Sequence, residues 1–181
     1  MSIDHKVDFI SINIALLTIS DTRTPDNDKS GNLLNDRIIK FGHKVIEKLI
    51  LKDDVKTIEK TILDLSSKSE IDVIITSGGT GFTGRDSTPE AINLIKNNQN
   101  INFKHIEGFG ELFRKISYEK IGTSAIQSRA LGVVFNSTFI FCLPGSPNAC
   151  KDAWDEILKY QLDIRHKPCN FIEIIPRINE Q

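Results

Sequence analysis

The sequence predicts one α/β domain of three layers, in which a mostly parallel sheet carries helices on both faces. Short apolar runs that are typical of strands alternate with segments whose apolar residues recur at helical spacing, and this alternation indicates a parallel sheet. The chain has 181 residues, a length that suits one domain, and 39% of them are hydrophobic. We therefore assign residues 1–181 to a single domain, with 1–11 and 172–181 as peripheral tails.

Five strands are predicted along the chain. The first comes from residues 12–20, a continuous apolar run that ends in polar residues, as expected of a strand buried on both faces. The last two strands are separated only by Asn136 and Ser137, which we expect to form a turn. The four later strands are predicted at residues 45–51, 71–76, 133–135 and 138–143.

Helices are predicted from their caps and from the spacing of their apolar residues. Ser30 is expected to cap the first helix and Gly42 to end it, while Asp53 or Asp54 is expected to cap the second. Further helical segments are predicted at residues 109–118 and 126–130 and from Pro147 onward. Residues 97–102 and the end of the chain from 167 are predicted to be irregular.

The third helix is expected to begin near Thr88 and Pro89, because proline is favoured in the first turn of a helix. Either Ser87 or Thr88 could cap this helix, and Ser87 and Glu90 also have the spacing of a capping box. Glu90 in the first turn also suits the helix dipole.

Composition and charge exclude several classes of protein. The net charge of -1 and the pI of about 6.4 disfavour a nucleic-acid-binding protein, which usually presents a basic face. The first residues lack the pattern of a signal peptide and no apolar stretch is long enough to span a bilayer, so we predict a cytoplasmic protein. Three cysteines without a C-x-x-C pair and four scattered histidines do not predict disulfides or a zinc site, and Cys142 is expected to be a small core residue.

The most informative segment is residues 76–91, TSGGTGFTGRDSTPEA, which lies between a predicted strand and a predicted helix. Its four glycines allow positive φ angles and let a ligand approach the backbone closely. Backbone N–H groups in such a turn, followed by a helix N-terminus, form an anion site. Arg85 could pair with phosphate and Asp86 could bind a metal ion, so the predicted ligand is a phosphorylated molecule.

Three predicted strand ends carry residues that are typical of a binding site. Residues 18–21, 76–79 and 143–146 combine hydroxyl side chains, glycines and the carboxylate of Asp21. In open α/β sheets, ligands bind outside the carboxyl ends of the strands. If these strands are parallel neighbours, their ends form one polar pocket that also includes Asp86.

Two common nucleotide-binding motifs match only in part. Gly79, Gly81 and Gly84 have the spacing of the dinucleotide fingerprint, but they follow the third predicted strand and no acidic strand end follows at the required distance. Arg85 and Asp86 replace the Lys-Ser/Thr pair of a P-loop. The sequence therefore favours neither a Rossmann oxidoreductase nor a P-loop NTPase.

The segment TSGGTG at 76–81, followed by Arg85-Asp86-x-Thr88-Pro89-Glu90-Ala91, resembles the molybdopterin-binding signature of the MogA/MoaB family, which the gephyrin G domain shares. The resemblance extends over residues 12–171. It includes Ser30-Gly31, the EGFGE segment at 107–111, Ser128-Arg129 and the LPGSP segment at 143–147. The segments IGTS at 121–124 and KPCNF at 167–171 resemble the MoaB branch most.

The resemblance implies a protein of molybdenum cofactor biosynthesis. MogA-type members use Mg²⁺ and ATP to adenylylate molybdopterin, and the product passes on to molybdate insertion. The implied alternative is a non-catalytic molybdopterin-binding protein of the MoaB branch. Homo-oligomers, either trimers or hexamers, are also implied. CinA-type domains, which act on other nucleotides, are disfavoured because Thr80 and Arg85-Asp86 depart from their pattern.

The resemblance also implies roles for individual residues. Asp86 corresponds to the family's essential acid and would be catalytic and bind Mg²⁺, while Asp53 is the second implied catalytic acid, with Asp54 and a helix-capping role as open alternatives. Arg129 could contact a phosphate or form an ion pair, and Asp21 could be a site residue or a turn former. The implied substrate-binding residues are Thr76, Ser77, Gly78, Gly79, Thr80, Gly81, Ser30, Gly31, Pro144, Gly145 and Ser146.

Overall fold

The computed structural model describes residues 2–97, 102–178 and 180. Its main feature is a mixed sheet of six strands, and two short strands pair separately. The strands are β1 (Ser2–Ile3), β2 (Asn13–Ile19), β3 (Lys44–Leu51), β4 (Val73–Ser77), β5 (Lys104–His105), β6 (Leu131–Phe135), β7 (Thr138–Leu143) and β8 (His166–Lys167). Of the segment predicted to be irregular at 97–102, residues 98–101 lie outside the described part of the chain.

The strand order in the main sheet is β3-β2-β4-β7-β6-β5. The first four strands of this order are parallel, and β6 and β5 are antiparallel to their neighbours. The reversal occurs at the predicted two-residue turn, where Asn136 and Ser137 have φ angles of 49° and 63°. Such left-handed pairs match the twist of a β-hairpin, so the predicted turn is confirmed.

Helices cover both faces of the sheet and give the three predicted layers. They are α1 (Lys29–Phe41), α2 (Val55–Ser66), α3 (Thr88–Lys96), α4 (Glu107–Ile121) and α5 (Pro147–Ala153), the last continuing through a π-helical turn at Trp154–Leu158 into α6 (Lys159–Gln161). One core cluster joins α1, α4 and α5 to the sheet, and the other joins α2 and α3 to its opposite face. No helix in the described ranges is long and apolar enough to cross a bilayer.

The central strands are buried on both faces, as their continuous apolar sequence predicts. In β2, Ile14 and Leu16 belong to one core cluster, whereas Ala15 and Leu17 belong to the other. In β7, Cys142 is fully buried as expected, and burial raises the pKa of its thiol to about 12. The α/β fold class predicted from the sequence is confirmed.

Two local predictions are wrong. The short helical segment expected at 126–130 is instead a 3₁₀ helix at Gly122–Gln127, which directly continues α4. The C-terminal residues from 172 are not entirely peripheral, because Ile172 and Ile178 are buried in the cluster around Trp154. An apolar side chain in a short irregular segment has no periodicity that would reveal its burial.

Candidate functional site

The carboxyl ends of β2, β4 and β7 meet at one edge of the sheet, as predicted. Ser77 at the end of β4 lies beside Thr18 on one side and Leu143 on the other. Beyond β4, the amide of Gly78 donates to the carbonyl oxygen of Leu143 at 3.0 Å, so pairing continues past the end of the strand. This contact brings the loop after β4 (residues 78–87, a long loop called the glycine loop below) against the short turn after β7 (residues 144–146).

Glycine is required at two positions where the long loop leaves the sheet. Gly78 has a φ angle of 107°, and a Cβ atom there would lie only 2.2 Å from the carbonyl oxygen of Ile19. Gly79 has a φ angle of 64°, and a Cβ atom there would lie 2.4 Å from Oγ1 of Thr88. Both positions combine a left-handed backbone with a close approach, which other residues do not tolerate.

A cavity of about 440 Å³ opens beside these glycines. One wall is formed by the two connections after β4 and β7, and the other by α4, the 3₁₀ helix and the start of α5. No lysine or arginine lines it among the described residues. The lining residues are Gly78, Gly79, Thr80, Gly81, Asp86, Phe113, Ser117, Ile121, Ser124, Ala125, Gln127, Ser128, Pro144, Gly145, Ser146 and Ala149.

The backbone of this cavity offers hydrogen-bond donors. Within the described residues, the amides of Gly79, Thr80, Gly145 and Ser146 donate to no protein acceptor. All four residues line the cavity. Unpaired backbone N–H groups collected at one place form an anion site.

Within the part of the chain that the structure describes, Asp86 is the one carboxylate that lines the cavity. Both the amide and the hydroxyl of Thr83 donate to its Oδ2, at 2.9 and 2.6 Å. A Cβ atom on Gly81 would lie 2.7 Å from the same oxygen, so glycine at 81 makes room for the carboxylate. Partial burial alone would raise the pKa of Asp86, but hydrogen bonds from Thr83 and Gly81 and the charge of Arg129 hold it below its usual value.

Asp53 and Asp21 lie behind the glycine loop and do not line the cavity. Asp53 accepts hydrogen bonds from the amide and the hydroxyl of Ser87, at 3.0 and 2.5 Å. Asp21 accepts from the amide of Asp53 and pairs with the guanidinium of Arg85 at 2.8 Å. Asp54, not Asp53, caps α2. The structure thus gives Asp53 a supporting contact with the start of α3.

The capping-box prediction at the start of α3 is wrong. Ser87 occupies the N-cap position but its side chain accepts no cap hydrogen bond, and its hydroxyl donates to Asp53 instead. Glu90 instead pairs with Arg129. Pro89 lies in the first turn as predicted.

Ser30 and Gly31, implied as substrate-binding residues, lie behind the turn after β7. Asp28 caps α1, so the prediction that Ser30 is the cap is wrong. The Ser30 hydroxyl donates to the carbonyl oxygen of Gly145 at 2.7 Å. Gly31 leaves space for the Asp28 carboxylate, from which a Cβ atom at 31 would be 2.1 Å away.

The other implied residues divide between the cavity and the strand. Gly78, Gly79, Thr80 and Gly81 and the Pro144–Gly145–Ser146 turn line the cavity. Thr76 and Ser77 are buried within β4, with 0% and 2% of their surfaces exposed, and do not reach it.

The wall opposite the glycine loop, which includes Ser117, Ser124 and Gln127, was not predicted from the sequence. These residues come from the end of α4 and the 3₁₀ helix, and only the tertiary fold brings them to the strand ends. The segment IGTS at 121–124 gave an indirect signal, since Ile121 and Ser124 of this family-like stretch line the cavity. Asp28 was also missed, although it stands two residues before the predicted cap.

The donors present fit a hydrated Mg²⁺ ion. The described residues contain no group of three or more His, Cys, Asp or Glu side chains that could hold a metal. Mg²⁺ usually binds through one or two carboxylates together with water and substrate oxygens, and Asp86 provides one carboxylate inside the cavity. An ion at this position would take its remaining ligands from water and from oxygen atoms of a bound ligand.

Comparison with known proteins gives the family. The family model described as "Probable molybdopterin binding domain" matches residues 15–164. The chain is 42% identical to Molybdenum cofactor biosynthesis protein B of Escherichia coli strain K12 over 166 residues, which cover 92% of this chain and 94% of that protein.

Two solved structures share the fold. A crystal structure of Molybdenum cofactor biosynthesis protein B has a TM-score of 0.78 at 42% identity and covers 84% of this chain and 92% of that chain. The crystal structure of the tungsten cofactor synthesizing protein MoaB from Pyrococcus furiosus has a TM-score of 0.68 at 30% identity, with 81% and 90% covered. This chain therefore belongs to the molybdopterin-binding domain family of molybdenum cofactor biosynthesis proteins, as its glycine loop predicted.

Proposed function

We propose that this protein binds molybdopterin in the cavity between the glycine loop and α4, and that it transfers AMP from ATP to the terminal phosphate of molybdopterin with Mg²⁺. The observation that carries the proposal is that four residues lining one cavity, Gly79, Thr80, Gly145 and Ser146, have backbone amides without a protein acceptor among the described residues. Family membership supports molybdopterin as the ligand.

In the proposed reaction, a phosphate oxygen of molybdopterin attacks the α-phosphorus of ATP, and the bond to the β-phosphate breaks to release pyrophosphate. Such transfers depend on positioning and on charge stabilisation. The loop amides would hold phosphate oxygens in fixed directions. Asp86 would orient the bound ion and keep its own negative charge, since hydrogen bonds hold its pKa low. When bound, Mg²⁺ would neutralise charge that develops on the phosphate oxygens.

One observation favours a second candidate, a molybdopterin-binding protein without turnover. No lysine or arginine lines the cavity in the described ranges, and Arg85 and Arg129 both contact other parts of the protein. Neutralisation of a triphosphate would then depend on backbone amides and the metal ion alone. A single phosphate ester needs less charge compensation than a pair of reacting phosphates.

A single assay separates the two candidates. The purified protein is incubated with molybdopterin, ATP and Mg²⁺, and adenylylated molybdopterin and pyrophosphate are measured. Both products in equal amounts support the transferase. Molybdopterin binding without either product supports the binding protein, and no binding contradicts both.

We also propose that the protein assembles as a trimer or hexamer and that it passes its product to a molybdate-inserting protein. Exposed apolar side chains on α4 and the 3₁₀ helix, at Leu112, Tyr118, Ile121 and Ile126, support self-association. Sedimentation of the purified chain tests the assembly, since a monomer at micromolar concentration would contradict it.

A further inference from the structure

Arg129 lies between the 3₁₀ helix and β6, and its guanidinium reaches across to the glycine loop. Nε donates to the carbonyl oxygen of Gly81 at 2.7 Å, and Nη2 donates to that of Asp86 at 3.0 Å. Nη1 pairs with the carboxylate of Glu90 on α3. The main-chain amide of Arg129 adds a hydrogen bond to the carbonyl oxygen of Thr80 at 3.2 Å.

The two carbonyl groups that Arg129 binds stand at the two ends of the exposed tip, residues 82–85. One planar group therefore joins the point where the chain leaves the cavity to the point where it returns. The tip has its own turn, in which the amide of Asp86 donates to the carbonyl oxygen of Thr83 at 3.0 Å. That turn fixes the shape of the tip but not its position relative to the cavity.

The guanidinium also lies over the ring of Phe82, 5.3 Å from its centroid. The Arg129 side chain is only 23% exposed, which places it between the tip and the rest of the protein. A surface ion pair with Glu90 alone would contribute little. The planar guanidinium of Arg129 donates to two carbonyl groups at once, and the single ammonium group of lysine cannot reproduce this geometry.

Arg129 also connects the two walls of the cavity. The neighbouring Ser128 and Gln127 line one wall, while Gly81 and Asp86 line the other. Three of the five N–H donors of Arg129, on Nε, Nη1 and Nη2, thus bind protein groups. Its charge lies close to Asp86 but it makes no contact with the Asp86 carboxylate.

We propose that Arg129 is a positioning residue, which holds the ends of the glycine-loop tip and thereby sets the place of the Asp86 carboxylate in the cavity. The functional part of this inference rests on the proposed adenylyl transfer. The structural part does not, because the loop contacts exist in the protein without substrate.

The test compares Arg129→Met and Arg129→Lys with a matched control, Arg114→Met. Arg114 donates through Nη1 to the carbonyl oxygen of Ala130, the residue after Arg129, at 3.1 Å, and among the described residues it makes no hydrogen bond to the glycine loop. Hydrogen exchange of the full-length, substrate-free protein is followed at the amides of Thr83, Asp86 and Thr88, which are hydrogen-bonded within the loop or to it.

We expect Arg129→Met to speed exchange at these amides at least tenfold and Arg114→Met to change it less than twofold. Arg129→Lys should fall between wild type and Arg129→Met, because it keeps the charge and loses the planar guanidinium. If Arg129→Met does not fold, the lysine variant alone decides. Equal loop exchange in the arginine and lysine proteins, or an equal increase in the Arg114 control, would overturn the proposal.

Turnover gives the second measurement. Arg129→Met should lower kcat about 100-fold and change molybdopterin affinity less than threefold, because Arg129 acts through Asp86 and touches no substrate. Loss of affinity equal to the loss of kcat would contradict positioning. If the wild-type protein forms no product, the transferase proposal fails, while the exchange result still decides the role of Arg129.

Discussion

Two connections at the same edge of the sheet differ in what holds them. The turn after β7 needs only residues 144–146, and Ser146 caps α5 through the amide of Ala149. The loop after β4 runs over residues 78–87, and Ser87 at its end provides no side-chain cap. Both lead a parallel strand into a helix with proline in its first turn.

The long loop is held by side chains from other parts of the chain. Asp53 binds its end, and Arg129 binds the carbonyl groups at the two ends of its tip. The adjacent Thr88 also donates its hydroxyl to the carbonyl oxygen of Gly78 at 2.9 Å. A longer connection loses more conformational freedom when it is ordered, so it needs more fixed contacts. The long loop therefore depends on distant residues for its position, whereas the short turn depends mainly on its own contacts.

The largest expected effect concerns Asp86, which the long loop carries and the short turn lacks. Asp86→Asn keeps the size of the side chain and an acceptor for Thr83 but removes the negative charge. We expect kcat for adenylyl transfer to fall roughly 1,000-fold, about 4 kcal/mol of transition-state stabilisation, because the metal ion loses its protein carboxylate. Molybdopterin affinity, measured by titration, should change little.

The control is Asp36→Asn, an exposed carboxylate on α1 outside the cavity lining. It removes the same charge and should leave kcat unchanged. Full turnover in Asp86→Asn would show that the metal assignment is wrong.

Gly78→Ala should be the most destabilising change in either connection. Alanine at 78 must adopt a φ angle of 107° with its Cβ 2.2 Å from the carbonyl oxygen of Ile19, so the end of β2 or β4 has to move. We expect the free energy of unfolding to fall by about 3 kcal/mol, measured by urea denaturation.

Gly145→Ala and Gly84→Ala complete this series. In the short turn, a Cβ atom on Gly145 would lie 3.2 Å from the Cα of Gly78, and Gly145 has no positive φ angle. Gly145→Ala should therefore lower the free energy of unfolding less than Gly78→Ala does. Gly84 has open space around it, so Gly84→Ala should have no measurable effect. Equal losses at 78 and 84 would contradict the close packing of the loop base.

Asp53→Ala tests support from outside the long loop. It leaves the amide and the hydroxyl of the buried Ser87 without their acceptor. We expect a loss of about 2 kcal/mol in unfolding free energy and faster hydrogen exchange at Ser87. Asp54→Ala is the control, because it removes the cap of α2 and should leave exchange at Ser87 unchanged. Equal hydrogen exchange at Ser87 in the two variants would show that Asp53 does not support the end of the long loop.

The position of the site was predictable because it follows from strand order. A glycine loop after one buried strand, and polar residues after two others, place a pocket wherever those strands are parallel neighbours. Local signals were also sufficient for Gly42, which has a φ angle of 109° at the end of α1, and for the turn at Asn136 and Ser137.

Contacts between distant segments were not predictable from the same signals. Ser30 has the side chain of a cap and precedes an apolar helical pattern, but its hydroxyl donates to the distant carbonyl oxygen of Gly145, and Asp28 caps α1 instead. Ser87 has the right spacing to Glu90, yet each side chain has a charged partner elsewhere, at Asp53 and at Arg129. A sequence pattern records which hydrogen bonds a residue can make, and the tertiary fold decides which partner is present.

Ser30→Ala should give the smallest of the measurable losses in stability, and it tests the short turn. The Ser30 hydroxyl donates to the carbonyl oxygen of Gly145 and is the one side-chain contact made with that carbonyl in the described residues. Its removal should lower the free energy of unfolding by about 1 kcal/mol, measured by urea denaturation, because one partly buried hydrogen bond is lost. Thr61→Ala removes a similar hydroxyl-to-carbonyl bond, but one that Thr61 makes to Thr57 within α2. That bond competes with helical hydrogen bonding, so its loss should be close to neutral.

The molybdopterin affinity of Ser30→Ala shows whether the short turn depends on Ser30 for its position in the cavity. Because Ser146 already caps α5, Ser30→Ala should leave the turn's shape intact and reduce molybdopterin affinity less than threefold. A tenfold or larger loss would mean that the short turn, like the long loop, is positioned from outside. The two connections would then follow one rule, and the cap at Ser146 would not be sufficient to orient the amides of Gly145 and Ser146 toward a phosphate.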